Sequence, residues 1–185
     1  MAFTESNMLL IGTKAPSFNL PDTVSGQVLS LNDLQSDTAT VIMFLCNHCP
    51  YVLHVNEGIV ALAHDYQPKG VTFIGISSND AVNYPQDGPE KMKILAVAEG
   101  YTFPYLYDET QEWLIIYDAA CTPDFYVFDG NMQLAYRGRI DGSRPGNQLP
   151  VTGEDLRNVL DTILRGDEVP SQQFASGGCN IKWKK

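Results

Sequence analysis

"TATVIMFLCNHCPYVLHVNEGIVALAHDY" runs from Thr38 to Tyr66 and changes character at its two cysteines. Thr38–Leu45 carries no charge and is rich in β-branched and aromatic side chains, the composition of a central strand covered on both faces. From Cys49 to Tyr66 the apolar positions Val52, Val55, Ile59, Leu62, Ala63 and Tyr66 recur at helical spacing, and Pro50 fits a first helical turn. "GVTFIGISS" (Gly70–Ser78) then reads as a second buried strand. A strand, helix and strand of this length form a βαβ unit with parallel strands. Cys46 and Cys49 therefore fall where a buried strand hands over to a helix.

Downstream, turn residues from Asn79 to Gly88 lead to a helix from Pro89 to Glu99, closed by Gly100. A short strand at Tyr105–Tyr107 and a helix at Gln111–Tyr117 follow. "DFYVFDGNMQLAYRG" (Asp124–Gly138) reads as two strands around an Asp-Gly turn. The spacing predicts a last helix beginning at Thr152, with Asp155 in the capping-box position and Leu156, Val159, Leu160 and Ile163 on its apolar face. Residues 1–37 are a turn-rich lead-in with a strand near Gln27–Leu31 and a helical turn at Asn32–Gln35. With no repeat and no linker, the chain reads as one α/β domain, 1–185, with an N-terminal extension (1–37) and a C-terminal tail (167–185).

Of 185 residues, 12 are basic and 22 acidic, a formal charge of −10, and the one basic cluster is the terminal "KWKK". That balance argues against nucleic acid and anionic membranes as partners. No basic segment precedes the short apolar run Met8–Ile11, and no stretch approaches the ~20 apolar residues of a membrane span. A cytoplasmic location is the expectation. In a reducing compartment four cysteines are not a structural framework, so a close pair points to redox chemistry or metal binding.

At a strand-to-helix junction, Cys46 and Cys49 meet unsatisfied backbone N–H groups and the positive end of a helix dipole, which favour thiolate over thiol. Their spacing suits a disulfide. His48 between them adds a group that can be cationic near neutral pH and stabilise a Cys46 thiolate. Zinc is the weaker reading, because Cys121 and Cys179 stand alone rather than as a second compact pair. Two inert buried thiols are the remaining alternative.

Together with the βαβ unit, "CTPDFYVFDG" (Cys121–Gly130) resembles the thioredoxin-fold superfamily, with Thr122-Pro123 in the place of its cis-proline. "GTKAPSFNLPD" (Gly12–Asp22), "FLCNHCPYV" (Phe44–Val52) and "GGCNIKWK" (Gly177–Lys184) narrow the resemblance to the CxxC-containing, peroxiredoxin-like group of the alkyl hydroperoxide reductase/thiol-specific antioxidant (AhpC/TSA) family. The resemblance implies a thioredoxin-like fold: a central mixed β-sheet flanked by helices, with an N-terminal β extension and an inserted helix as in peroxiredoxins. It also implies a thiol-disulfide oxidoreductase in which Cys46 is the exposed, lower-pKa nucleophile, Cys49 resolves the mixed disulfide and His48 tunes Cys46. Asn47, Thr122 and Pro123 would then border the groove where a substrate cysteine docks. No cofactor and no metal are implied. The expected partners are protein or small-molecule thiols and disulfides, with an electron donor of the thioredoxin or glutathione kind.

Two rivals stand beside that reading. One is a thiol peroxidase in which Cys49 attacks peroxide and Cys46 resolves it; the other is a redox-inactive binding or chaperone-like module. Peroxidase chemistry in this family uses a threonine or serine three residues before the reactive cysteine, whereas Cys46 stands there relative to Cys49, and Met43 relative to Cys46. Neither Arg137 nor Arg139 is assignable as an activating arginine. The central strand also lacks the acid that assists the buried cysteine in thioredoxins, leaving His48, His54 or solvent. Cys121 and Cys179 are candidate third redox partners; the competing reading makes Cys121 a small core residue and Cys179 a free tail thiol, with Ile181 and Trp183 docking the tail.

Overall fold

The computed structural model describes residues 3–185; of the 1–37 extension, residues 1 and 2 lie outside it. Its centre is a five-stranded mixed sheet. The strands in chain order are β1 (Phe3–Glu5), β2 (Asn19–Pro21), β3 (Val28–Ser30), β4 (Ala39–Phe44), β5 (Val71–Ser77), β6 (Tyr105–Tyr107), β7 (Cys121–Thr122), β8 (Asp124–Asp129), β9 (Leu134–Gly138) and β10 (Gly177–Asn180). The helices are α1 (Leu31–Leu34), α2 (Pro50–Tyr66), α3 (Pro89–Ala98), α4 (Glu112–Ile116) and α5 (Glu154–Leu164). The sheet order is β6-β5-β4-β8-β9, parallel from β6 to β4 and antiparallel from β4 to β9. This is the mixed thioredoxin-like sheet that the resemblance implied, with α3 as the inserted helix. Among the described residues no helix is long and apolar enough to cross a membrane.

All six residues of β4 are buried, and the pleat sends alternate side chains to opposite faces. Val41 and Met43 meet Val52, Val55 and Ile59 of α2 and Leu156 and Leu160 of α5. Ile42 and Phe44 meet Ala15, Phe18, Leu20 and Leu31 of the N-terminal extension. Fully burying one side chain such as Phe18 contributes about 1.5–3 kcal/mol, so the extension is part of the core on this face of the sheet rather than an appendage. It also closes a sheet edge: Tyr105 N–H of β6 donates to the Asp22 carboxylate and Thr23 N–H to the Tyr105 carbonyl. At the other edge, the Gln173 side chain accepts from Arg137 N–H and donates to the Ala135 carbonyl of β9. Both edges are thereby kept from pairing with other chains.

One local expectation is corrected. The last helix has Gly153, not Thr152, at its N-cap, at φ 69°. The Asp141 carboxylate accepts the Thr152 and Gly153 N–H groups at 2.7 Å each, and Asp155 is drawn to Arg139 instead of closing a capping box. In the β8–β9 connection it is Met132, at φ 59°, that takes the left-handed conformation. Gly130 is needed because a Cβ there would lie 2.1 Å from the Asp37 carbonyl oxygen.

A second, three-stranded sheet, β1-β10-β7, lies where β7 leads into the cis peptide Thr122–Pro123. β10 is antiparallel to both neighbours, pairing Cys179 with Thr122 on one side and with Phe3 on the other. The tail is thus woven into the body. Ile181 is buried with the β4–β8 core, while Trp183 is half exposed, so Ile181 rather than Trp183 anchors it. Backbone groups of Lys182 complete the anchorage through Asn79, Asp80 and Gln111.

Candidate active site

Cys49 is the N-cap residue of α2 and Pro50 its first helical residue, so Cys49 sits among backbone N–H groups without helical partners. Cys46 lies two residues past the end of β4. Both are buried, at 1% and 0% exposure, which corrects the expectation of an exposed Cys46. The residue before the cis-proline touches both sulfurs. Thr122 Oγ1 is 3.3 Å from Cys46 Sγ, and the Thr122 carbonyl accepts from Cys49 Sγ at 3.3 Å. The structure therefore brings Cys46, Cys49, Thr122 and Pro123 into one place.

The order of acidities is the reverse of the expected one. Cys49 is lowered to about 5: the Cys46 thiol donates to it, then the Cys179 thiol, with Val52 N–H and Cys179 N–H aimed at its sulfur. Those supports outweigh its burial. Cys46 is pushed well up, by donating a hydrogen bond to Cys49, by burial and by the negative charge of Asp87. The helix terminus works on the cysteine that caps it, and His48 stands beside Cys46 with its Nδ1 drawn to an acid.

That acid, Asp87, lies outside the sequence expectations. It is fully buried just before α3 and accepts the Asn47 N–H and the Asn79 amide, each at 2.8 Å. His48 Nδ1 stands 2.7 Å from its second oxygen, out of line for a well-formed hydrogen bond, and the imidazole stacks on Tyr84. Asn47 also donates to the Gln86 carbonyl and accepts from the Tyr105 hydroxyl. Its polar groups hold the turn between the cysteines. Ligand atoms of Cys46, His48 and Asp87 lie within 4.8 Å of one another, among the described residues a sulfur, nitrogen and oxygen set able to meet one metal ion. No signal near "YPQDGP" identifies Asp87, because the partners that tie it to the cysteine loop, Asn47 and His48, are about forty residues away in the chain.

Of the remaining candidates, Cys121 is buried on β7, pushed well up chiefly by desolvation, with its sulfur toward the Pro123 carbonyl. Cys179 is not a free tail thiol. It is 3% exposed, in hydrogen-bond contact with Cys49, and pushed up to about 12 by burial first and by that contact second. His54 lines a small cavity beside Pro123 with Tyr51, Arg139 and Arg144, apart from the Cys46 group. Arg137 is fully buried and bonded to Asp124 and the Asp118 carbonyl; Arg139 is paired with Asp155 and lies over the Phe174 ring. Neither arginine is bonded to a cysteine.

Residues 11–137, which hold both cysteines and the cis-proline, match the AhpC/TSA family. The chain belongs to the AhpC/TSA family. A curated relative, the protein called Putative peroxiredoxin Rv2521 of Mycobacterium tuberculosis (strain ATCC 25618 / H37Rv), is 30% identical over 116 residues, 63% of this chain and 68% of its own length. The solved structure of an uncharacterized conserved protein from Geobacillus kaustophilus is 57% identical, with a TM-score of 0.98 over 100% of this chain and 97% of that one. The thioredoxin domain of a thiol-disulfide oxidoreductase from Bacteroides vulgatus superposes with a TM-score of 0.62 over 82% and 99% of the two chains at 17% identity. That last likeness shows the thioredoxin fold alone. The family match stops before the tail, so β10 and Cys179 lie outside it.

Proposed function

We propose that this AhpC/TSA-family chain is a thiol-disulfide oxidoreductase whose redox couple is Cys46–Cys49. The observation that carries the reading is Cys49 at the N-terminus of α2, lowered by the neighbouring Cys46 thiol, with Thr122 Oγ1 3.3 Å from the Cys46 sulfur. The thiolate is the nucleophile in disulfide exchange. Cys49 therefore attacks a substrate disulfide, forming a mixed disulfide and expelling one substrate thiolate. Cys46 then attacks the Cys49 sulfur, closing the Cys46–Cys49 disulfide and expelling the second. This reverses the roles expected from the sequence. Thr122 Oγ1 is placed to donate to the Cys46 sulfur as its proton leaves, and the Asp87 clamp on Asn47 and His48 fixes the loop between the thiols.

The reduced protein mixed with glutathione disulfide, quenched in acid and mapped by mass should carry an intramolecular Cys46–Cys49 disulfide with release of two glutathione thiols. Stable glutathione adducts without ring closure, or thiols that stay free, would sink the reading.

The same depressed Cys49 supports a second reading, a thiol peroxidase in which Cys49 attacks peroxide and Cys46 resolves the sulfenic acid. Against it, Cys46 occupies the position of the family's hydroxyl and neither Arg137 nor Arg139 is bonded to Cys49. With no preorganised donor for the leaving oxygen, stopped-flow oxidation by hydrogen peroxide should run at the rate of an ordinary thiolate. A rate several orders of magnitude faster would put peroxide first.

A further inference from the structure

The site holds a third thiol, delivered by the tail. β10 runs antiparallel to the two residues before the cis-proline, and its register sets Cys179 opposite Thr122, the residue that touches both Cys46 and Cys49. Cys179 is buried in one cluster with Cys46, Cys49 and Val52 and Val55 of α2. The approach is close by construction. A Cβ on Gly178 would lie 2.0 Å from the Thr122 carbonyl oxygen, and one on Gly177 would lie 2.6 Å from the Phe3 ring. Gly178 is therefore what lets this backbone lie against Thr122 beside the cysteine pair, and Ile181 with the Lys182 backbone holds it there.

We propose that Cys179 is an internal exchange partner of Cys49, so that the disulfide of the oxidised protein moves between Cys46–Cys49 and Cys49–Cys179. The proposal rests on the oxidoreductase reading only for how the first disulfide arises. In the exchange, the Cys179 thiolate attacks the Cys49 sulfur. The Cys49–Cys179 bond forms, the Cys46–Cys49 bond breaks, and Cys46 leaves with the electron pair and takes up the proton that Cys179 released. One disulfide is present before and after, so no oxidant or reductant is consumed. Thr122 Oγ1 is again placed to donate to the departing Cys46 sulfur. The product ties the tail covalently to the cap of α2 and leaves Cys46 as a free thiol. It also gives a mixed disulfide on Cys49 two resolving thiols rather than one.

Three samples test this. Wild type oxidised with limiting diamide, freed of oxidant and digested without reduction should yield both Cys46–Cys49 and Cys49–Cys179 linked peptides, in proportions that become constant with time. Full-length Cys46→Ser, treated alike, should lose its two remaining site thiols within one chain and yield the Cys49–Cys179 peptide. Cys46→Ser/Cys179→Ser should lose that peptide and instead keep a trapped glutathione adduct on Cys49 when given glutathione disulfide. Oxidised wild type that contains only Cys46–Cys49 at all times, with a folded Cys46→Ser that forms no internal link, overturns the proposal and leaves the oxidoreductase reading standing. The converse result, a Cys49–Cys179 link with no Cys46–Cys49 disulfide in wild type at any time, overturns the exchange as well and removes the Cys46–Cys49 couple of the oxidoreductase reading.

Discussion

At the scale of single residues, two thiols three positions apart are given opposite acidities by what surrounds them. Cys49 caps a helix and is lowered chiefly by the Cys46 thiol that donates to it and next by Cys179; Cys46 keeps its proton as the donor and faces the charge of Asp87. Reduced protein should therefore show one thiolate absorbance step near pH 5, absent in Cys49→Ser and moved upward in Cys46→Ala, which removes the main support. Asp87→Asn should bring the second step down, because a like charge no longer opposes Cys46. The sign for stability follows from linkage. A thiol depressed in the fold contributes stability that is full above the ordinary cysteine range and is lost as pH falls through about 5. Urea midpoints of the reduced protein should rise between pH 5 and 9 relative to Cys49→Ser, and parallel curves would refute the assignment. The CxxC and its helix-terminal place are legible in the sequence, since both depend on neighbours within one turn. Asp87 and Cys179 are not, because each reaches the pair through a fold contact that no local pattern encodes.

At the scale of elements, β4, α2, β5 and the β8–β9 hairpin are legible because hydrophobic periodicity and turn residues act locally. The start of α5 is not, because the groups satisfying its first N–H donors come from Asp141, upstream of the predicted cap. The β8–β9 pair also buries an ion pair that composition does not reveal. Asp124 on β8 and Arg137 on β9 are both wholly buried and 3.0 Å apart, and burial, only partly offset by Arg137, raises Asp124 to about 6. Removing one member strands the other charge. Arg137→Met should cost about 3–5 kcal/mol at neutral pH, measured by urea unfolding. The loss should shrink toward pH 5, where Asp124 takes up a proton, and in the double variant Asp124→Asn/Arg137→Met. An unchanged midpoint in Arg137→Met, or a double variant no more stable than the single one, would show that the charge is not stranded.

At the scale of the whole molecule, both ends of the chain are structural parts of the fold. The extension covers one face of the sheet and its β6 edge, while the tail reaches the β9 edge and then pairs with β7 beside the cysteine pair. The result is a reactive pair with almost no exposed surface, and the expectation is that reagents reach it when β10 lifts from β7. Local openings of this kind have free energies below that of global unfolding and set the reactivity of what they cover. Gly178 is the place to shift that equilibrium, because a methyl group there would meet a backbone oxygen at 2.0 Å and no side-chain movement can relieve the clash. Gly178→Ala should leave the five-stranded sheet intact but part β10 from β7, taking Cys179 from Cys49 and opening the site. Iodoacetamide should then alkylate Cys49 in the reduced variant roughly tenfold or more faster than in wild type, the factor that 1.4 kcal/mol of lost protection supplies. The thiolate step should also rise above pH 5 as the Cys179 contacts are lost. Equal alkylation rates in wild type and a folded Gly178→Ala would mean that reagents reach Cys49 by another route, with the tail strand playing no part in guarding it.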